Sequence, residues 1–165
     1  MKRVTAAAVF LAMLLGGVSP AWATSASAPK TKLAPSAKVI IEDLAKLGLP
    51  ARLTVVFTAA TDPNHLLGRP NGYLSKASFS DKRVPASDTT GDSKGDVDYG
   101  GSVEVFATAN EAKARAAYIE SVLEANPMLG TEYDYLNGPV LLRVSQYLIP
   151  SQAEEYQRAL AKIKV

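Results

Sequence analysis

The sequence predicts an α+β fold: a mostly antiparallel sheet of four to five strands with helices packed on one face, related to the ferredoxin-like split βαβ arrangement. Three observations carry this. Helical and period-two apolar patterns follow one another as helix, strand, strand, strand, helix, strand, strand, helix. The last two strands flank Asn137-Gly138, a strong hairpin signal. From Ser102 onward, strand, helix, hairpin and helix make up most of a split βαβ unit, which a strand near Leu53 extends.

The first helix opens at Ser36, a residue type that caps helix N-termini. Val39, Ile40, Leu44 and Leu47 recur at helical spacing before Gly48 stops it. Pro50 separates it from the alternating run Leu53, Val55, Phe57, a strand. Asp62 to Asp81 reads DPNHLLGRPNGYLSKASFSD, dense in turn formers yet studded with Leu66, Leu67, Tyr73, Leu74 and Phe79. That mixture predicts an ordered loop leading into a short strand near Tyr73 to Phe79. Lys82 to Gly101 is polar, rich in Asp and Gly, and has little to bury; it reads as a mobile surface loop.

A strand over Ser102–Ala107 follows, and Thr108 with Glu111 forms a capping box for the next helix. Ala112, Ala116, Ile119 and Leu123 form its buried stripe, and Asn126-Pro127 ends it. Glu132–Leu136 and Val140–Ser145 are the hairpin strands. Pro139 cannot donate an N–H to the tightest turn, which favours a four-residue loop with residue 135 opposite 140. That register puts Tyr133, Tyr135, Val140, Leu142 and Val144 on the helix-facing side. Glu132 then lies across from Arg143 as a cross-strand ion pair, with Glu104, Phe106 and Leu141 pointing the same way. This mixed face is either covered by the Asp62–Asp81 segment or open to a partner. The last helix starts at Pro150, Ser151 and Glu154 and turns Ala153, Tyr156, Leu160 and Ile163 inward.

Ahead of this domain (36–165), residues 1–23 have the three parts of a signal peptide. Lys2 and Arg3 are followed by an apolar run from Val4 to Val18, and Ala21-Trp22-Ala23 offers a cleavage site. Ala26-Ser27-Ala28 repeats the pattern. The run is shorter than the roughly 20 apolar residues that span a bilayer. Residues 24–35, built from Thr, Ser, Ala, Pro and Lys with a single Leu, read as a flexible leader. The expectation is a secreted, extracytoplasmic protein with no membrane span after cleavage.

With 18 basic against 16 acidic residues in the whole chain, loss of Lys2 and Arg3 leaves a neutral protein. Nucleic acid is thereby excluded as a partner. The absence of cysteine excludes disulfides, thiol nucleophiles, cysteine metal sites and a lipid-modified cysteine. Asp88, Asp92, Asp96 and Asp98 lack the spacing of a calcium loop, so no metal or other cofactor is expected.

The one histidine, His65, stands three residues after Asp62. Together they make an alternative reading, a hydrolase needing a further hydroxyl nucleophile. No nucleophile-elbow pattern accompanies them, and Asp62 before Pro63 suits an Asx-type turn. Arg69 and Lys76 flank Tyr73 in the ordered loop and are suited to gripping a carboxylate, a phosphate or a polymer. The candidate binding residues are therefore Asn64, Arg69, Tyr73, Lys76, Glu104 and Arg143, with no catalytic or metal assignment.

DPNHLLGRPNGYLSKASFSD, GGSVEVF, EYDYLNGPVLLRVS and the closing P-x-Q-A-x-x-Y resemble a functionally uncharacterised family of small secreted proteins and lipoproteins of Gram-positive bacteria. The resemblance spans roughly Ile41 to Leu160 and is most specific over Asp62–Lys76 and Gly100–Phe106. It implies no activity and no site. Many such relatives carry a lipid-anchor cysteine, and this chain has none, which favours a freely released protein. The expected role is a non-enzymatic binding or accessory domain for an extracellular or cell-envelope protein or polymer. A secreted protease inhibitor presenting Lys82–Gly101 is a further alternative.

Overall fold

Alternation of strand and helix patterns resolves into eight main elements in the computed structural model, which describes residues 34–165. The expected signal segment, 1–23, and the leader up to residue 33 lie outside the described residues. The elements are α1 (Ala37–Lys46), β1 (Ala51–Val56), β2 (Ser75–Asp81), β3 (Gly100–Val105), α2 (Ala109–Ala125), β4 (Glu132–Asn137), β5 (Val140–Ser145) and α3 (Pro150–Leu160). Their order is the expected one. The five strands form one sheet in the order β1-β2-β3-β5-β4, and every neighbouring pair is antiparallel. Because β5 lies between them, β3 and β4 run parallel, and β3-α2-β4 is a split βαβ unit. Among the described residues no helix is long and apolar enough to cross a membrane.

The helices do not share one face, and here the expectation is corrected. Ile40, Ile41 and Leu44 of α1 pack with Tyr156 and Leu160 of α3 against Phe79, Val103, Val105, Val140, Leu142 and Val144. The second cluster joins Ala112 and Ile119 of α2 to Tyr73, Phe106 and Leu141, which point to the opposite side. All six residues of β3 are buried. A central strand with nothing exposed needs cover on both faces, and α2 supplies the second layer. The covering is thinner there: of the 17 residues of α2 only Ala112 and Ile119 are buried.

Local differences have local causes. In α1 the buried stripe is Ala37, Ile40, Ile41 and Leu44, while Val39 and Leu47 face water. Ser36 sits at the N-cap without donating or accepting a capping bond; instead the Ala37 N–H donates to Ser75 Oγ at 2.9 Å. A bulge between Leu53 and Val55 shifts the β1–β2 register, so Leu53 packs in the α1/α3 core while the Phe57 ring meets Lys76 on the other side. The hairpin is tighter than expected, with Asn137 opposite Val140 and Tyr135 opposite Leu142. Pro139 occupies the turn position whose N–H is not needed, and Gly138 takes φ +53°. A register change of two preserves the faces, so Tyr133 and Tyr135 still meet the helices.

Lys82–Gly101, expected as a mobile loop, contains two 3₁₀ turns, Ala86–Thr89 and Val97–Tyr99. Hydroxyls of the sheet tie it down. Thr54 Oγ1 donates to the Lys94 carbonyl, Ser78 Oγ to Gly95 and Ser145 Oγ to Asp98, at 2.8, 2.8 and 2.9 Å. A polar composition conceals such long-range anchors.

Candidate functional site

Asp62 is the point from which the site is built. Thr58–Thr61 makes a turn in which the Asp62 N–H donates to the Thr58 carbonyl, and the aspartate side chain is then 1% exposed. Its Oδ1 accepts from the Asn64 N–H at 3.3 Å, the expected Asx turn. Its Oδ2 accepts from the N–H groups of Leu66 and Leu67 at 2.8 and 3.1 Å, and the Tyr73 hydroxyl donates to Oδ1 at 2.5 Å. Burial pulls the Asp62 carboxyl upward, but these donors outweigh it, and the group titrates below the ordinary aspartate range. Burial and the bond to Asp62 push the Tyr73 hydroxyl well above its ordinary value. Gly72 lets the loop close: a Cβ there would lie 1.9 Å from the Leu66 carbonyl oxygen.

Sheet register adds the charges. Lys76 on β2 stands directly opposite Glu104 on β3, and Glu104 opposite Leu141 on β5. Lys76 Nζ lies 3.5 Å from Glu104 Oε1 and 3.7 Å from Asp62 Oδ1. It also lies 5.0 Å from the centre of the Phe57 ring and 5.4 Å from that of Tyr73. Glu104 Oε2 accepts from Arg115 Nε at 3.1 Å, and Arg143 Nη1 approaches Oε1 at 3.7 Å. Arg143 holds Glu132 with two bonds of 2.7 Å. This is the expected ion pair, although the residue directly opposite Arg143 is Asp134; Glu132 is reached diagonally.

One carboxamide completes the cluster. An atom of the Asn64 amide lies 2.9 Å from Lys76 Nζ and 3.2 Å from Arg115 Nη2. Two cationic donors are compatible only with an acceptor there, so the carbonyl oxygen faces them.

Of the six candidate residues, the structure brings together Asn64, Tyr73, Lys76, Glu104 and Arg143. Arg69 stays on the exposed outside of the loop. The face around Glu104 and Leu141 is not open: both are fully buried, beneath α2 rather than beneath the Asp62–Asp81 segment alone. Asp62 and His65 do not pair. The His65 backbone adopts φ +53° and its N–H donates to the Asp62 carbonyl, while the side chain is exposed and lines neither groove described below. The Asp62 carboxylate is turned into the loop interior, where its partners are Tyr73 and the backbone N–H groups of Asn64, Leu66 and Leu67.

Sequence reasoning missed Arg115, Asp134 and the role of Asp62 as a hub. Arg115 had a signal: it falls three residues after Ala112 and four before Ile119, on the buried stripe of its helix. Asp134 had none. Burial and the neighbouring Glu132 charge raise its carboxyl to about 8, and its Oδ1 has no hydrogen-bond partner.

The cations Lys76, Arg115 and Arg143 are matched by the carboxylates Asp62, Glu104 and Glu132, a balanced set. Above it, between the Asp62–Gly72 loop and α2, runs an open groove of about 860 Å3. Leu66, Tyr118, Val122 and Leu129 give it apolar walls, and Asn64, Asn71 and Asn110 bring amides to it. On the other flank of α2 a second groove of about 770 Å3 is lined by Glu120, Glu124, Glu132, Asp134 and Gln146. Comparisons with protein-family models, with characterised proteins and with solved structures found no match to this chain.

Proposed function

We propose that this chain is a non-enzymatic extracytoplasmic binding or accessory domain, secreted by a bacterium, whose ligand lies in the groove between the Asp62–Gly72 loop and α2. The single observation that carries the reading is the pairing of an apolar-walled, amide-bearing groove with a fully compensated charge network beneath it. Arg115 and Arg143 reach the groove, but their charges are already neutralised by Glu104 and Glu132. An anion would have to displace a buried partner to bind them, at a cost of several kcal/mol. The favoured ligand is therefore an uncharged, partly apolar segment of a cell-envelope polymer or protein, held by Tyr118, Leu66 and Leu129 and oriented by Asn71 and Asn110. The resemblance to secreted Gram-positive proteins and the signal-like N-terminus support the location.

Two-dimensional NMR of the labelled domain, titrated with solubilised cell-wall glycan fragments and with neutral peptides, tests the reading. Amide shifts confined to the groove lining, and lost in Tyr118→Ala with Asn71→Ala, are expected. Shifts elsewhere, or none with either probe, would remove it.

A further inference from the structure

Four side chains of the network, buried Lys76 and Glu104, half-buried Arg115 and Asn64 exposed at the groove, have the arrangement of an amide-forming centre. Lys76 is 4% exposed, ringed by Phe57 and Tyr73, and its Nζ lies 2.9 Å from the carbonyl oxygen of Asn64. Glu104, fully buried, places Oε1 3.5 Å from the same Nζ, and that oxygen accepts no hydrogen bond. Arg115 Nη2 lies 3.2 Å from the Asn64 oxygen.

We propose that Lys76 and Asn64 join in an intramolecular isopeptide bond, with Glu104 moving the protons and Arg115 holding the developing oxyanion. Glu104 takes a proton from the Lys76 ammonium. The free amine attacks Asn64 Cγ, and the carbonyl electrons move onto oxygen beside the Arg115 guanidinium. The attacking nitrogen gives up a proton, the Asn64 amino group receives one through Glu104, and the Cγ–Nδ2 bond breaks. An Nζ–Cγ amide is formed, ammonia leaves with the proton that Lys76 first carried, and Glu104 returns to its carboxylate. No oxidant, metal or nucleotide is required.

Several features favour this pair. Burial holds the Lys76 amine below its ordinary pKa, which raises the share of the nucleophilic form. Asp62 is the other acyl group near Lys76, but its carboxylate is fixed in ionised form by four donors and is a poor electrophile. Asn64 also lines the groove, which gives the departing ammonia a way out. The bond would tie the loop to β2 covalently, in a chain without cysteine. The bond would remove the Lys76 charge from the network, while Arg115 and Arg143, the cations that reach the groove, keep Glu104 and Glu132 as partners.

Intact-mass measurement of the secreted mature chain decides the matter. The expected mass falls short of the sequence mass by one ammonia, and digestion yields one branched peptide linking Asn64 to Lys76. The loss and the branched peptide should vanish in Lys76→Arg and in Glu104→Gln, each checked for folding by its amide NMR spectrum. A native chain at its full sequence mass overturns the proposal whatever the variants do. So does a loss that persists in Lys76→Arg, since succinimide formation at Asn71-Gly72 or Asn137-Gly138 would then account for it.

Discussion

Asp62 and Asp134 are carboxyl groups on the same side of one sheet, and their surroundings drive them in opposite directions. Asp62 is depressed, so its contribution is present above the unfolded value of 3.8 and is lost as pH falls through the folded pKa. Asp134 is raised to about 8, so relative to acid its effect erodes stability as pH climbs from about 4 to about 8. Asp134→Asn should therefore gain about 1 kcal/mol at pH 8 and little at pH 4, measured by urea unfolding across that range. Tyr73→Phe removes one donor from Asp62 while the backbone donors remain, and should cost about 1–2 kcal/mol in the same assay.

At the scale of elements, α2 is bound to the molecule differently from α1 and α3. Its start is secured by the reciprocal bonds Thr108 N–H to Glu111 Oε2 at 2.9 Å and Glu111 N–H to Thr108 Oγ1 at 3.2 Å. Thr108→Ala should cost about 1 kcal/mol by thermal or urea unfolding. Its buried stripe is two residues, against four each in α1 and α3. Amide hydrogen exchange should accordingly be faster in the second half of α2 than in α1 or in β3, and comparable rates would refute the thin-layer description.

For the whole molecule the asymmetry of the two layers sets the pattern of sensitivity. One face of the sheet is largely apolar, with buried Asp81 at its edge held by Tyr156 and Arg83; the other buries a balanced set of charges. Arg143→Met leaves Glu132 and Glu104 short of a partner and should destabilise by about 3–5 kcal/mol, more than an exposed ion pair such as Lys38–Glu42, which is worth less than about 1 kcal/mol. A double-mutant cycle between Arg143 and Glu132 separates their mutual attraction from the cost of leaving either alone.

Element order, the capping box, the hairpin and the inward stripe of α3 were legible because each depends on neighbours a few residues apart. The faces of the hairpin were legible too, since a two-residue shift leaves them unchanged, although the loop length was not. Five of six candidate residues converge because Lys76 on β2 lies beside β3, which carries Glu104 to it, and Tyr73 stands just ahead of β2. Arg69 looked the same in sequence and faces water. What the sequence could not supply was the second layer: α2 has a weak apolar stripe, and nothing local says that it closes over Lys76, Glu104 and Arg143. Burial of those groups, the anchoring of Lys82–Gly101 and the meeting of Lys76 with Asn64 all rest on contacts across the chain. Spacing determines which side of an element is apolar; only tertiary packing decides what that side, or a charge opposite it, is pressed against.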